Sequence, residues 1–312
     1  MYDTIIIGAG VVGLATGMYS GRLNMKTLVL GATSSNELPI GGVITLTDTV
    51  ENYPGFKHLT GMELAEKMEE HARQYGIEIK EEKALEIVKE KNHNCFAIKT
   101  KESEYKTKTI IFATGAKWKE LPMKGADVFK NKGVHYCALC DGALFQDKIL
   151  AVVGGSDTAT KEALLLSQFG SKVYIIYRGD AIRPEPVNGK LVERNNKIEV
   201  ITNTNIVEIK GEKSVTHAIL DRPYKGSMTL NVDGIFGAIG HIPLSELAVS
   251  LGVKVNGKNE IMIDRESKTN EPGIFAAGDV VDSVFKQAIT GVGEGVVACY
   301  SAYRYVKEQE IL

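Results

Sequence analysis

The chain has 312 residues, 44% of them hydrophobic and 24% charged, with a net charge of −2. That is the make-up of a globular protein of about two domains, each with apolar mass for its own core. The near-neutral balance leaves no electrostatic footprint for nucleic acid or an anionic membrane, no run of 18 apolar residues predicts a membrane span, and no basic leader precedes the first strand pattern, so a cytoplasmic protein with reduced thiols is expected.

The opening DTIIIGAGVVGLATGMYSGRL passes from an apolar run through glycines into a helical pattern, and KTLVL follows as a second strand. This is the β–turn–α–β order of a dinucleotide fold. Gly8, Gly10 and Gly13 make the GxGxxG: the first for the tight turn, the second for approach of a pyrophosphate, the third for helix–strand packing. The second strand ends in Leu30-Gly31, without the acid that usually meets a ribose, so that contact is expected from elsewhere. Thr60 and Glu63 have capping-box spacing at the head of a helix over 60–75, with Gly76 at its stop. Residues 84–113 alternate like short strands and end in TIIFATG.

Then the pattern restarts. Residues 148–178, KILAVVGGSDTATKEALLLSQFGSKVYIIYR, are again strand, glycine turn, helix and strand. Short strands are expected on to about residue 239, and PGIFAAGDV with a helix over about 285–307 closes the chain. The fold class is therefore α/β: two Rossmann-like dinucleotide-binding domains of the FAD/NAD(P)-binding, three-layer ββα type, the second inserted into the first. Glycine and proline beside strand-like runs put the crossings near Gly115–Trp118 and Gly240–Pro243. The expected domains are 1–117 with 245–312, for FAD, and 118–244, for NAD(P)H and carrying the cysteine pair.

In the second turn Gly154, Ser156 and Ala159, with Thr158 between the last two, read GxSxxA. Ser156 puts a side chain where backbone should approach phosphate. The following strand ends in Tyr177-Arg178 with no acid, and arginine suits a 2′-phosphate, so Arg178 and Arg183 are the expected clamp for NADPH.

HYCALCDG, residues 135–142, holds two of the four cysteines. Cys137 and Cys140 allow three readings. A zinc half-site could take His135 as third ligand but lacks a fourth, and no metal is expected. Two packing cysteines are the bland reading. A dithiol cycling to a disulfide is the third, with a helix start to lower the thiolate pKa and Asp141 as general acid, unless Asp141 is only a cap or first-turn acid. Two dinucleotide turns and a dithiol together make an electron path from nicotinamide through flavin to a disulfide.

At this point the chain resembles, nearly end to end, the low-molecular-weight thioredoxin reductases. The resemblance rests on GAGVVG, VENYPGF at 50–56, ATG at 113–115, CALCDG at 137–142, AAGDV at 276–280 and KQAITGVGEG at 286–295. It implies an FAD-containing homodimer that reduces thioredoxin or a glutaredoxin-like protein. It implies an FAD cradle of Gly8, Gly10, Gly13, Gly42, Asn52, Thr114, Asp279, Gln287 and Ala288. It makes Cys140 the thiol nearest the flavin, Cys137 the one that attacks the substrate, and Asp141 the acid. It leaves Cys95 and Cys299 to packing. It also implies rotation of the inserted domain, for which Gly115 and Gly240 are the expected pivots.

The chain departs from the family at the second turn. Ser156 stands for a glycine, and Tyr177-Arg178-Gly179 with Arg183 keeps two of three arginines. The donor could then be NADPH, NADH, ferredoxin or a reduced deazaflavin. The rivals are a flavin- or nucleotide-binding sensor without turnover, its dithiol holding zinc or acting as a redox switch, and a ferredoxin–NADP reductase relative, which would not need the dithiol.

Overall fold

The opening pattern folds as β1 (Tyr2–Ile7), the glycine turn and α1 (Val11–Arg22). The computed structural model describes residues 1–31, 38–47, 50–90 and 95–311. β2 (Thr27–Leu30), α2 (Gly61–Gln74), β3 (Glu78–Lys80), β4 (Glu86–Glu90), β5 (Cys95–Lys99) and β6 (Glu104–Phe112) follow. The capping box forms: Glu63 N–H donates to Thr60 Oγ1 at 3.1 Å and Thr60 N–H to Glu63 Oε2 at 2.7 Å. Gly76 follows α2 with φ of 69°, a left-handed conformation that glycine adopts without strain.

β7 (Ala116–Trp118) leads into β8 (Val134–His135), α3 (Ala138–Asp141), β9 (Ile149–Val153), α4 (Asp157–Phe169), β10 (Lys172–Ile176), α5 (Pro186–Arg194), β11 (Ile198–Ile201), β12 (Ile206–Gly211), β13 (Val215–Tyr224), β14 (Ser227–Asn231) and β15 (Gly234–Gly237). β16 (His241–Pro243) leads back to α6 (Glu246–Ser250), β17 (Ile274–Ala276) and α7 (Ala288–Ile311). Helix α5 stands where only short strands were expected. Pro186, with its fixed φ, opens it at the first helical position, while Gly189 inside it weakens the helical signal of the sequence.

The chain forms two compact units, Met1–Lys117 with Ile242–Leu312, and Trp118–His241. The return to the first unit comes three residues before the expected 245. Leu244 N–H donates to Gly115 O at 3.0 Å and Thr114 Oγ1 to Leu244 O at 2.7 Å, which ties residue 244 to the first unit.

In the first unit β3, β2, β1, β6 and β17 form a parallel sheet, and β5 and β4 continue from β6 antiparallel. Because side chains alternate along a strand, one apolar strand serves two cores. Ile5, Ile7, Leu28, Leu30, Ile110 and Phe112 pack with Phe96 and Ile98 of β5, while Ile6, Val29 and Ile111 pack with Ala298, Ala302 and Val306 of α7. The result is three layers, two of sheet and one of helix.

The second unit repeats the plan. β11, β10, β9, β15 and β8 are all parallel, and β12–β13–β14 form a separate antiparallel sheet. Ala151, Ile176 and Ile235 face Ile209, Ala218 and Leu220 of that sheet. Leu150, Val152, Ile175 and Phe236 face Ala159, Ala163 and Leu166 of α4. In both units the glycine turn sits at the C-terminal end of a central parallel strand, where dinucleotide folds take their ligand.

Candidate active site: two glycine turns and a disulfide

The glycines of the first turn have different reasons to be glycine. Gly8 has φ of 113°, and a Cβ there would run into the Ala113 carbonyl. A Cβ on Gly13 would strike the carbonyl of Gly8. Both are demanded by the fold. Gly10 is not: its φ of −71° and ψ of 176° suit any residue. A Cβ there would have only Gly41 O at 3.6 Å and Gly42 Cα at 4.0 Å, ordinary contacts. No side chain caps α1. The bareness of Gly10 and the uncovered helix N-terminus fit a pyrophosphate, and that is the fit expected of FAD.

Gly42, with φ of 71°, lies against Gly10, and Gly41 N–H donates to Ala9 O at 2.7 Å. Asn52 Nδ2 donates to Gln287 Oε1 at 3.0 Å, joining two expected FAD residues from distant parts of the sequence. Thr114 spends its hydroxyl on Leu244 O. Asp279 is exposed and its carboxylate has no partner among the described residues, while Lys286 Nζ holds its carbonyl at 2.8 Å and pairs with Glu260 at 2.7 Å. Ala288 opens α7. The acid missing after Leu30 has a steric reason: a Cβ on Gly31 would collide with the Cβ of Ala9.

Sequence reasoning missed Glu294. Its carboxylate accepts from Gly278 N–H at 2.9 Å and from the Ser283 hydroxyl, binding both ends of the loop that presents Asp279 to α7. The signal was an acid set between glycines in GVGEG.

In the second turn Gly154 is again demanded by the fold, since a Cβ would meet the Ala238 carbonyl. Ser156 is the N-cap of α4, its Oγ accepting from Ala159 N–H at 3.5 Å. Thr158 is exposed and Ala159 fully buried. Tyr177 lays its ring over Gly155 and Gly179, where an added Cβ would come to 2.5 Å from ring carbons. Arg183 N–H donates to Gly155 O at 2.6 Å, anchoring Arg183 at the turn. The Arg178 and Arg183 side chains are exposed, and neither makes an ion pair among the described residues. Asp157 staples this loop to α4, accepting from Glu185 N–H at 2.7 Å, Asn188 Nδ2 at 2.8 Å and Lys161 at 2.9 Å. Burial pushes its carboxyl up, but those bonds outweigh burial and hold it below the usual range. Farther along α4, Glu162 Oε2 is enclosed with no hydrogen-bond partner, and burial pushes that carboxyl up to about 8.

Cys137 and Cys140 form a disulfide with Cα atoms 5.4 Å apart. Cys137 is the N-cap of α3, and Cys140 N–H donates to its sulfur at 3.1 Å. The expected helix is one turn of four residues, so the sulfur feels a local N–H more than a long helix dipole. Cys137 is 9% exposed, and Cys140 is the exposed one of the pair. Asp141 caps nothing; its Oδ2 lies 2.8 Å from His135 Nδ1. Thus His135 is engaged by an acid, and among the described residues no group of three His, Cys, Asp or Glu stands ready for a metal. Cys95 and Cys299 are free and buried; burial pushes the Cys299 thiol up to about 12, which makes it inert.

The family model for pyridine nucleotide-disulphide oxidoreductases matches residues 2–295. The chain belongs to that family. It is 37% identical over 310 residues to the thioredoxin reductase of Listeria monocytogenes, covering 99% of this chain and 95% of that one. It is 36% identical over 315 residues to the thioredoxin reductase of Bacillus subtilis, covering 100% and 97%. The crystal structure of Lactococcus lactis thioredoxin reductase in the FR conformation superposes with a TM-score of 0.92 at 36% identity, covering 99% of this chain and all of that one. Within its family, then, this oxidoreductase groups with the low-molecular-weight thioredoxin reductases.

Proposed function

We propose that the chain is a thioredoxin-disulfide reductase that draws electrons from NADPH through FAD and delivers them through Cys137 and Cys140 to thioredoxin or a glutaredoxin-like protein. The observation that carries this reading is the Cys137–Cys140 disulfide, set in one nucleotide-type unit of a chain whose other unit keeps an open dinucleotide turn. The names of its full-length relatives supply the substrate.

In this reading Gly10, with Gly8 and Gly13 shaping the turn, admits the FAD pyrophosphate. Gly42, Asn52, Thr114, Asp279, Gln287 and Ala288 complete the cradle. When bound, FAD supplies two-electron storage between a hydride donor and a disulfide. Gly154, Ser156, Thr158 and Ala159 receive the NADPH phosphates, and Arg178 and Arg183, free of ion pairs, take the 2′-phosphate. Cys140, the exposed residue of the pair, is the one reduced from within. Cys137, released as a thiolate, attacks a sulfur of the substrate disulfide and expels a substrate thiolate. Cys140 then attacks Cys137, the enzyme disulfide re-forms, and the second substrate thiolate leaves. Asp141 carries the proton to the departing sulfur. Cys137 must become exposed for its attack, and Gly115 and Gly240, with φ of 65° and 106° and no atom within 4 Å of an added Cβ, are the proposed pivots. A cytoplasmic homodimer completes the reading.

One observation favours a second reading of the donor: Ser156 carries a side chain where the first turn has bare Gly10. NADH, ferredoxin or a reduced deazaflavin would then replace NADPH. The test is anaerobic mixing of the FAD-loaded protein with NADPH and with NADH, followed by flavin absorbance, in the native chain and in Cys137→Ser. Bleaching by NADPH in both, with thioredoxin reduction lost only in the variant, is the expected result. Thioredoxin reduction surviving in Cys137→Ser would overturn the reading. Bleaching by dithionite alone would replace NADPH as donor.

A further inference from the structure

His135 is one of the most enclosed polar side chains of the second unit. Strand β8 places it against Phe236 of β15, its direct register partner. Its ring stacks on Phe236 at 5.6 Å and meets Phe145 edge-on at 5.3 Å; those two rings are themselves 5.6 Å apart and edge to face. The side chain is 7% exposed. Two phenyl rings thus fix the plane of the imidazole, and a single polar contact leaves it: Nδ1 to Asp141 Oδ2 at 2.8 Å.

Burying a polar group in an aromatic pocket costs free energy unless it is hydrogen-bonded, so a histidine kept here solely for packing is a poor choice beside phenylalanine or leucine. What the imidazole gains is one bond, to the carboxylate that directly follows Cys140. Asp141 gains more. Its side chain is about a third exposed, and among the described residues it has no other hydrogen-bond partner. Without His135 the carboxyl would be free to rotate about its χ angles, on a helix of one turn that fixes little beyond its own backbone.

We infer that His135 is a positioning residue for the dithiol: by donating from Nδ1 to Asp141 Oδ2, it holds that carboxyl in the orientation in which the other oxygen meets the departing sulfur. This rests on the reading of Asp141 as the acid. The step served is the resolution of the mixed disulfide. The Cys137–Cys140 bond forms, the bond between Cys137 and the substrate sulfur breaks, and the Cys140 thiol proton ends on the substrate sulfur, with two electrons passing from the dithiol to the substrate. In this arrangement the proton lies on Nδ1, because the carboxylate oxygen it meets accepts.

The test reduces the FAD-loaded protein with dithiothreitol, removes the excess, and mixes it with a small dialkyl disulfide, whose leaving thiol holds its proton at neutral pH, in a rapid-quench instrument. Two thiol-release phases report attack by Cys137 and resolution by Cys140. In His135→Phe, which keeps the packing, the second phase is expected to slow about tenfold, the loss of roughly one hydrogen bond to a charged group, with the first phase within about twofold. In His135→Asn, whose amide can reach the position of Nδ1, the second phase is expected to recover most of that loss. An unchanged second phase in His135→Phe, while Asp141→Asn slows it, would overturn the inference and leave the acid in place. An unchanged second phase in Asp141→Asn would instead sink the acid reading, whatever His135 does. If His135→Phe fails to fold, the comparison passes to His135→Asn and His135→Gln; equal resolution rates in those two would overturn the inference, since only asparagine matches Nδ1.

Discussion

The two units are built on one plan, yet their glycine turns are made differently. In both, the first glycine is held by a carbonyl at the end of a neighbouring strand, Ala113 for Gly8 and Ala238 for Gly154. In both, the third position is small because a helix presses on its strand. They part at the second position. Gly10 is bare with no steric need to be, whereas Ser156 spends its hydroxyl on the start of α4. A glycine that packing does not require is explained by something outside the protein, so the first turn carries evidence of a ligand that the second does not. The second turn carries a different sign, two exposed arginines without ion pairs. The comparison therefore separates residues that make the fold from residues that, in the proposed function, meet a cofactor.

The sharpest way to break that separation lies in the first turn. Gly13→Ala drives a Cβ into the Gly8 carbonyl and is expected to lower the thermal midpoint with or without FAD, at a cost of about 1–3 kcal/mol or more. Gly10→Ala meets only ordinary contacts, so the apoprotein should melt where the native apoprotein does. Its FAD affinity should fall by about tenfold to a hundredfold, the same overpacking now borne by the ligand. Calorimetry of the apoproteins and titration with FAD check both. A Gly10→Ala apoprotein that melts early would place Gly10 with the fold.

In the second unit the corresponding experiment removes charge. Arg183→Ala is expected to raise the Kd for NADPH about tenfold to a hundredfold, as loss of a hydrogen bond to a charged group does, with less than about a twofold effect on NADH. Arg178→Ala should act in the same direction. Equal losses for both nucleotides would mean that the arginines hold the pyrophosphate and not the 2′-phosphate.

Glu162 sharpens the contrast through pH. Burial raises its carboxyl from the usual 4.5 to about 8 in the fold. Between those values the folded chain keeps a proton that the unfolded chain releases, so the second unit loses stability as pH rises through this window and levels off above it. The slope is at most about 1.4 kcal/mol per pH unit. Glu162→Gln removes the dependence: the variant should match the native protein near the acid end and become the more stable one above about pH 7. Thermal melts across that range decide it, and parallel curves would show the carboxyl is hydrated.

Much of this was legible in the sequence, because strong local signals coincided with tertiary need. The GxGxxG between strand and helix, the Thr60–Glu63 box and the restart at Lys148 each became the element expected. Helix α5 was not legible, since Gly189 and a polar run mask its period and Asp157 holds its start from a distant helix. Glu294 and His135 were illegible as partners for a different reason. Each acts through contacts to residues that chain spacing alone does not orient, Gly278 and Ser283 for Glu294 and Asp141 for His135. Side-chain pairing across elements leaves no period in the sequence.

The smallest effect tests the comparison most directly. Ser156→Gly gives the second turn the bareness of the first. The cap it removes is long, at 3.5 Å, and glycine is itself a fair N-cap, so the stability loss should be only about 0.3 kcal/mol. If the side chain merely crowds the phosphates, relieving it should return about 1 kcal/mol, roughly a fivefold tighter Kd for NADPH. Equilibrium binding, read by flavin or nucleotide fluorescence, resolves a change of that size. A weaker Kd would mean that the Ser156 hydroxyl leaves its cap to donate to phosphate. The second turn would then be a complete site that reads phosphate with a side chain, where the first reads it with bare backbone.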